Sequence, residues 1–181
     1  MKNKNIVIGI TGSIAAYKSA ELIRLFVKEK TNVIPVMTKN ACRFITPLTI
    51  QTLSNNKVYC DMFETDSDWE IEHVSIAEKA DIFLIAPATA DVIAKLAGGI
   101  ADDSLTTLAL AAKCPIVICP AMNSMMYKNK ITQKNIENLK QFGCIFIGPE
   151  KGELACGDEG AGRMSEPEKI VLEVKKILSK K

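Results

Sequence analysis

Five short apolar runs, rich in β-branched residues, recur along the chain. They lie at residues 6–10, 32–37, 81–86, 116–119 and 144–147. Each run is largely continuous rather than alternating in polarity, which is typical of strands in a parallel sheet that is covered on both faces. The pattern therefore predicts about five buried strands.

Longer stretches with helical periodicity separate these runs. They lie at residues 15–28, 47–54, 91–96, 104–112, 131–141 and 167–178, and a shorter helix is expected at 73–79. Strands that alternate with helices of these lengths suit right-handed crossovers in a parallel sheet. We predict a three-layer, doubly wound α/β fold of the flavodoxin-like or Rossmann-like type, with residues 1–181 forming a single domain.

Composition narrows the class of protein. Of the 181 residues, 48% are hydrophobic and 24% are charged, as in an ordinary globular domain. The net charge of +2 is nearly balanced, which argues against a nucleic-acid partner. No run approaches the ~20 apolar residues that span a bilayer, and the first apolar run does not resemble a signal peptide. We expect a cytoplasmic protein without a membrane partner.

Cysteine and histidine usage bears on metal binding and catalysis. The six cysteines include no Cys-x-x-Cys pair and His73 is the only histidine, so no metal site is predicted and most thiols are expected to be reduced. Cys156 differs because it lies among glycines in residues 148–165, a segment predicted to be a long loop that is either functional or disordered; on a mobile loop a thiol can approach a ligand. His73 is either structural or an acid–base group, since its unperturbed pKa lies nearest neutrality.

The residues that follow each strand are candidates for a binding site, because ligands of open α/β sheets bind beyond the carboxyl ends of the strands. Gly12 and Ser13 follow the first strand. Gly12 permits a turn close to a ligand, and Ser13 can cap a helix whose N–H groups favour a phosphate. The sequence matches neither the dinucleotide fingerprint nor a P-loop, so a mononucleotide phosphate is favoured. A plain helix start is the equally weighted alternative.

The next three strand ends also carry small or polar side chains. Thr38 follows the second strand, residues 87–91 follow the third, and residues 120–127 follow the fourth. In 87–91 the threonine can simply cap a helix, and the aspartate can pair with Lys95 four residues later. Asn123 offers both donors and an acceptor, which suit a carboxylate or an amide. Together these strand ends predict one site at one edge of the sheet.

Four stretches resemble segments of the flavin-dependent cysteine decarboxylases. They are GSIAAYK at 12–18, HVSIAEKADIFLIAPATADVIAKLAGGIADDSLTT at 73–107, PAMNSMMY at 120–127 and ACGDEGAGRM at 155–164. In that order they resemble the family's flavin-phosphate loop, its histidine and flavin-ring segment, its Pro-x-Met-Asn-x-x-Met-aromatic motif and its mobile substrate clamp. The last two are specific, because related flavin prenyltransferases are not expected to carry both. Tyr127 stands where tryptophan is frequent, which keeps an aromatic side chain.

The resemblance implies an FMN cofactor and a set of site residues. The residues implied to hold FMN are Gly12, Ser13, Ile14, Ala15, Thr38, Thr89, Ala90, Asp91, Ser104 and Ala121. Substrate contacts are implied for Asn123, Ala155 and Met164, and catalytic roles for His73, Asn123 and Cys156.

The implied reaction is decarboxylation of 4′-phosphopantothenoyl-L-cysteine to 4′-phosphopantetheine, a step of coenzyme A biosynthesis. The flavin would accept a hydride from this small-molecule substrate and later return it, so that no external reductant is consumed. Asn123 would grip the carboxylate, His73 would act as a base or polarise the thiol, and Cys156 would donate the final proton. The resemblance also implies a homo-oligomer, a trimer or an assembly of trimers. Because the chain ends at Lys181, we expect a separate ligase to make the substrate.

Three alternatives share parts of this pattern. A decarboxylase of C-terminal peptide cysteines would share the flavin, the histidine and the asparagine motif, but the clamp-like segment at 155–164 favours the small substrate. A flavin prenyltransferase is disfavoured by the asparagine motif. A noncatalytic flavoprotein that regulates a phosphatase would tend to carry an acidic tail, whereas this chain ends in lysines.

Overall fold

A five-stranded parallel sheet forms the centre of the computed structural model, which describes residues 1–60, 72–153, 157 and 159–179. Its strands are β1 (Asn5–Ile10), β2 (Asn32–Met37), β3 (Ile82–Ala88), β4 (Ile116–Pro120) and β5 (Ile145–Phe146). The order across the sheet is β2-β1-β3-β4-β5, and every neighbouring pair is parallel. This is the flavodoxin-like order, so the predicted doubly wound α/β fold is confirmed.

Helices cover both faces of the sheet. One face carries α1 (Tyr17–Lys28), α2 (Pro47–Ser54) and α8 (Pro167–Ser179). The other carries α3 (Glu72–Lys79), α4 (Ala90–Gly98), α5 (Ser104–Ala111) and α7 (Lys130–Gln141). Alternate residues of each strand face opposite layers, as Ile8 packs into the first core and Val7 into the second. Two separate apolar cores therefore hold the three layers together.

The positions of the main elements agree with the predictions. The strand at residues 32–37 and the helix at 47–54 have the predicted bounds. The helix predicted at 15–28 divides into a 3-10 turn, Ile14–Ala16, followed by α1. A short helix that was not predicted, α6 (Ser124–Lys128), follows β4.

The glycine-rich segment at 148–165 was predicted to be a loop, and this prediction is wrong for much of its length. Strands β6 (Glu150–Glu153) and β7 (Glu159–Arg163) pair there as an antiparallel hairpin. The segment has no hydrophobic alternation because the hairpin is held by backbone pairing and close contact with the residues after β4, rather than by burying one apolar face.

Close contacts with the residues after β4 explain why two positions of β7 are glycines. A Cβ atom on Gly162 would overlap the carbonyl oxygen of Met122, and one on Gly160 would lie 2.7 Å from the Ser124 Cβ. The Met122 N–H donates to the Gly162 carbonyl at 2.9 Å. Strand β7 therefore lies directly against the start of α6, at a distance that only glycine permits.

Within the described residues, no helix is both long enough and apolar enough to cross a lipid bilayer.

Candidate functional site

A polar cavity of about 390 Å³ lies at the carboxyl ends of β1, β2 and β3. Its lining comes from the segments after these strands and from the region that begins α5; the residues are Thr11, Gly12, Thr38, Lys39, Asn40, Cys60, Thr89, Asp91, Val92, Lys95, Asp102, Asp103 and Ser104. The chain passes from β1 to β2 on one side and from β3 to β4 on the other, so the cavity lies at the switch point of the sheet. Sheets of this order bind their ligands at that point.

Thr11 joins the two central strands beneath the cavity. Its hydroxyl donates to the Pro87 carbonyl at 2.7 Å and accepts from the Thr89 N–H at 3.1 Å. Because Thr11 is fully buried, these bonds fix the loop after β1 relative to the loop after β3. Sequence reasoning did not single out Thr11 as a site residue, and its only signal was its position directly after β1.

A neighbouring loop lies so close to residue 12 that only glycine fits there. A Cβ atom there would lie 2.5 Å from the Asn40 Cβ, which is closer than real Cβ contacts allow. The sequence argument expected this glycine to admit a ligand, which stays a prediction, and the structure shows that it also admits the loop after β2. The two loops therefore meet at the cavity wall, and Asn40 was not predicted as part of it.

Ser13 caps the start of a helix, which is the alternative to ligand binding that the sequence left open. Its side chain accepts from the Ala15 N–H at 3.3 Å and caps the 3-10 turn Ile14–Ala16. Ser13, Ile14 and Ala15 directly follow the cavity-lining Gly12, and Ile14 is 59% exposed. Capping and ligand binding are compatible here, because backbone N–H groups at the start of a helix are the donors that an anion uses.

Thr38 and Thr89 both line the cavity as turn-capping residues. The Thr38 hydroxyl accepts from the Ala41 N–H at 3.2 Å, and the Thr89 hydroxyl accepts from the Val92 N–H at 3.4 Å. Ala90 begins α4 directly after Thr89.

Lys95 joins two acidic residues at the cavity wall. The predicted pair with Asp91 is confirmed at 3.6 Å, and Asp102, which was not predicted, lies closer at 3.0 Å. The hydrogen bond to Asp102 raises the pKa of the Lys95 ammonium. Lys95 therefore remains charged and holds the loop before α5 against α4.

Ser104 places a buried hydroxyl in the wall of the cavity. The residue is 6% exposed and lines the cavity, and its hydroxyl has no hydrogen-bond partner within the described part of the chain. It is the first residue of α5, whose cap Asp103 forms a capping box with Thr106. A buried hydroxyl without a partner is costly, so a ligand with polar groups fits this wall.

Asn123 caps α6 and has a fixed orientation. Its Oδ1 accepts from the Met125 N–H at 2.8 Å, which directs the donor end of the amide, Nδ2, away from the helix backbone. Ala121 is buried, and its N–H donates to the Ala88 carbonyl at 2.9 Å. Neither residue lines the cavity described above, although both follow β4 at the same edge of the sheet.

The structure describes the remaining predicted site residues to different extents. His73 lies in the first turn of α3, and only its backbone is described. Ala155 and Cys156 lie outside the described residues. Met164 is 1% exposed and packs within the first core, and its predicted substrate contact stays a prediction.

An ion pair connects the start of α1 to the segment after β7. Lys18 is buried, and its ammonium lies 2.9 Å from Glu166 Oε2. Arg163 contacts the other carboxylate oxygen. The hydrogen bond from Lys18 is the main cause that lowers the pKa of the Glu166 carboxyl. The helix that follows the Gly12 loop is thereby attached to the end of the hairpin.

A 2-1-3-4-5 sheet with a cavity at its switch point defines a flavodoxin-like protein. The chain belongs to the Flavoprotein family, which matches residues 1–179.

Curated relatives carry more specific names. The chain is 48% identical over 171 residues to the coenzyme A biosynthesis bifunctional protein CoaBC of Bacillus subtilis, covering 94% of this chain and 42% of the relative. It is 44% identical over 177 residues to the probable phosphopantothenoylcysteine decarboxylase of Streptococcus mutans, covering 97% of this chain and 99% of the relative. The chain thus spans less than half the length of the CoaBC relative.

Solved structures show the same fold. A cysteine-to-serine mutant of PPC decarboxylase, complexed with pantothenoylaminoethenethiol, superposes with a TM-score of 0.90 at 30% identity, covering 98% of this chain and 100% of that chain. The FMN binding protein AtHal3 superposes with a TM-score of 0.88 at 30% identity, covering 99% of each chain.

Proposed function

We propose that this protein is an FMN-dependent decarboxylase that converts 4′-phosphopantothenoyl-L-cysteine to 4′-phosphopantetheine in coenzyme A biosynthesis. The observation that carries the proposal is the polar cavity at the switch point, whose wall contains the Ser104 hydroxyl, a group without a hydrogen-bond partner among the described residues. The near full-length likeness to a probable phosphopantothenoylcysteine decarboxylase supports the choice of substrate.

The cavity residues fit a bound flavin mononucleotide. The residues that would hold it are Gly12, Ser13, Ile14, Ala15, Thr38, Thr89, Ala90, Asp91, Ser104 and Ala121. Five of these, Gly12, Thr38, Thr89, Asp91 and Ser104, line the cavity. The likeness to an FMN binding protein supports the identity of the flavin. When bound, FMN supplies a group that can accept and return a hydride.

Asn123 would bind the substrate carboxylate. Its Oδ1 accepts from the Met125 N–H, which fixes the side chain after β4, and an amide also carries donors of the kind that a carboxylate accepts from. Fixing the carboxylate relative to the rest of the substrate is catalysis by positioning. His73 would act as a base or polarise the substrate thiol.

Cys156 would donate the final proton. The likeness to a cysteine-to-serine PPC decarboxylase that holds an ethenethiol supports a cysteine that acts after carbon dioxide has left. We expect Cys156→Ser to retain the cofactor and to stop at the enethiol. Full formation of 4′-phosphopantetheine by this variant would contradict the role.

A mass-resolved assay tests the whole proposal. Purified, flavin-loaded protein is mixed with 4′-phosphopantothenoyl-L-cysteine, and loss of carbon dioxide is followed without an added reductant. Formation of 4′-phosphopantetheine is the expected result. An inert substrate with FMN still bound would contradict it and would favour a peptidyl-cysteine decarboxylase or a noncatalytic regulatory flavoprotein.

Asn129 provides a matched control for Asn123. It caps α7 in the same way, with Oδ1 accepting from the Ile131 N–H at 2.9 Å. Aspartate also caps helices, so both Asn→Asp variants should fold. We expect Asn123→Asp to lose turnover while keeping its yellow flavin, and Asn129→Asp to remain active. Loss of flavin from Asn123→Asp would reassign the residue to cofactor binding.

Assembly and partners follow from the same proposal. We expect a homo-oligomer, a trimer or an assembly of trimers, and the exposed apolar side chains of Ile14, Tyr17, Phe44 and Leu48 support a contact surface. Light scattering tests this, and a fully active monomer would contradict it. A phosphopantothenate–cysteine ligase activity would supply the substrate, which the likeness to a bifunctional relative supports. We also expect the protein to act in the cytoplasm.

A further inference from the structure

Two cysteine side chains meet beside the cavity. The Sγ atoms of Cys42 and Cys60 are 3.6 Å apart, and both residues are half-buried. Cys42 lies in the 3-10 turn Ala41–Arg43, directly after the cavity-lining residues 38–40. Cys60 itself lines the cavity. Sequence reasoning treated both as ordinary reduced thiols.

We infer that Cys42 and Cys60 form a reversible disulfide under peroxide stress, and that this disulfide weakens flavin binding. The flavin half of this inference rests on the proposed function, whereas the disulfide half does not. The oxidant belongs to the class of small hydroperoxides, of which hydrogen peroxide is the simplest member.

The chemistry balances in two steps. The Cys60 thiolate, which borders the cavity, attacks one peroxide oxygen, so the O–O bond breaks, a sulfenic acid forms and one water leaves. The Cys42 thiolate then attacks the Cys60 sulfur, which forms the S–S bond and releases the sulfenic oxygen as a second water. Two thiols are oxidised to one disulfide while one peroxide is reduced to two waters.

Forming the bond must move the cavity wall. A disulfide sulfur pair is separated by about 2.05 Å, so the two atoms must approach by roughly 1.5 Å from their present distance. The chain before Cys60 is fixed to β2, since the Tyr59 N–H donates to Pro35 at 3.0 Å and the Tyr59 carbonyl accepts from Met37 at 2.8 Å. The turn that contains Cys42 is also held, by the Ala41 and Cys42 N–H groups that donate to the Thr38 carbonyl at 2.9 and 3.3 Å, so the movement strains both sides of the pair.

This movement bears on the flavin site through two contacts. The Cys42 thiol donates to the Thr38 carbonyl at 3.5 Å, and oxidation removes that hydrogen. Asn40, two residues before Cys42, already lies against Gly12 without spare room. A shift of the turn therefore changes both the loop after β2 and its contact with the loop after β1.

Other described cysteines differ from this pair. Cys119 is fully buried, and its burial raises the pKa of the thiol. Burial also raises the pKa of the Cys144 thiol, which makes a thiolate less available. Cys144→Ser is therefore a suitable control, because it removes a half-buried thiol away from the cavity lining.

Peptide mapping of the full, flavin-loaded protein tests the disulfide. The protein is treated with hydrogen peroxide, alkylated and digested with trypsin, which places Cys42 in residues 40–43 and Cys60 in residues 58–79. We expect a linked pair of these peptides in the wild type and in Cys144→Ser, none in Cys42→Ser, and loss of the link after dithiothreitol. Absence of the linked pair at full oxidation would overturn the inference.

Fluorescence titration with FMN tests the consequence. We expect peroxide to weaken FMN affinity about tenfold in the wild type, to leave Cys42→Ser unchanged, and to be reversed by dithiothreitol. A linked protein with unaltered FMN affinity would overturn the regulatory half. A protein that forms the link but binds no FMN in either state would instead contradict the proposed function.

Discussion

Lys18 and Glu166 form an ion pair between the helix after the Gly12 loop and the segment after the hairpin. The Lys18 ammonium lies 2.9 Å from Glu166 Oε2 and 3.5 Å from the Met164 carbonyl. Lys18 is 8% exposed, so this is a largely desolvated cation whose partner is the more exposed of the two. Removing the carboxylate would leave a buried charge poorly compensated.

The pair predicts a pH dependence of stability. Because the folded pKa of Glu166 lies below its ordinary value of 4.5, its contribution to folding is complete above that value and is lost as the pH falls through the folded pKa. We expect Glu166→Gln to lower the free energy of unfolding by about 1 kcal/mol at pH 7 and much less in strong acid. Urea denaturation at several pH values measures this, with Glu21→Gln on α1 as the control. An equal loss at every pH would refute the electrostatic origin.

Gly12→Ala should weaken flavin binding through Asn40. The added Cβ would lie 2.5 Å from the Asn40 Cβ, so we expect overpacking of about 1–3 kcal/mol and a lower FMN affinity. Asn40→Gly removes the opposing atom, and the double variant should therefore bind FMN better than Gly12→Ala alone. A double-mutant cycle of FMN affinities measures this coupling, and strict additivity would show that the contact is not responsible.

We expect Ser104→Ala to weaken FMN binding without lowering the stability of the flavin-free protein. The variant removes a buried hydroxyl that has no partner within the described residues, so the stability of the flavin-free protein should be unchanged or slightly increased. FMN affinity should fall by about 1 kcal/mol, since a hydrogen bond to the ligand is lost. Ser19→Ala is the contrast: its hydroxyl donates to the Ala86 carbonyl at 2.8 Å, and losing that buried bond should reduce stability even without flavin. Unaltered FMN affinity in Ser104→Ala would count against a flavin contact.

Gly162→Ala should disturb the hairpin. The new Cβ would overlap the Met122 carbonyl oxygen, so β7 must move away from α6 or the protein must lose about 1–3 kcal/mol of stability. We expect turnover to fall while FMN remains bound, because the cavity lining does not include this strand. Gly98→Ala, where an added Cβ meets nothing closer than 3.8 Å, should behave like the wild type. Activity assays and urea denaturation of both variants provide the comparison.

The sheet was predictable because its signal is local. Residues 32–37 form a continuous apolar run, and the structure has a strand with the same bounds. The edge strand β5 is shorter than predicted, Ile145–Phe146 rather than 144–147, and it pairs with β4 through these two residues only. The hairpin has no such local pattern. Its glycines are required by contacts with Met122 and Ser124, which are distant in sequence.

The site residues that directly follow strands could be predicted from the sequence. Those whose role comes from contacts with residues distant in sequence could not. Thr38, Thr89 and Ser104, which the resemblance assigned to FMN binding, line the cavity. Asn40 and Asp102 were missed, because their importance comes from contacts with Gly12 and Lys95 that spacing does not reveal. Met164, a motif residue that the resemblance assigned to the substrate, packs in the first core, which the motif alone does not reveal.

The hydrogen-exchange rate of the Met122 amide can report the opening of the hairpin. This amide is bonded to the Gly162 carbonyl at 2.9 Å, and it precedes the asparagine that we propose binds the carboxylate. Exchange of this proton with deuterated water requires β7 to lift from α6, so its exchange rate reports the opening of the hairpin at the residue next to the chemistry. Slower exchange in the presence of substrate would measure how far binding closes that equilibrium.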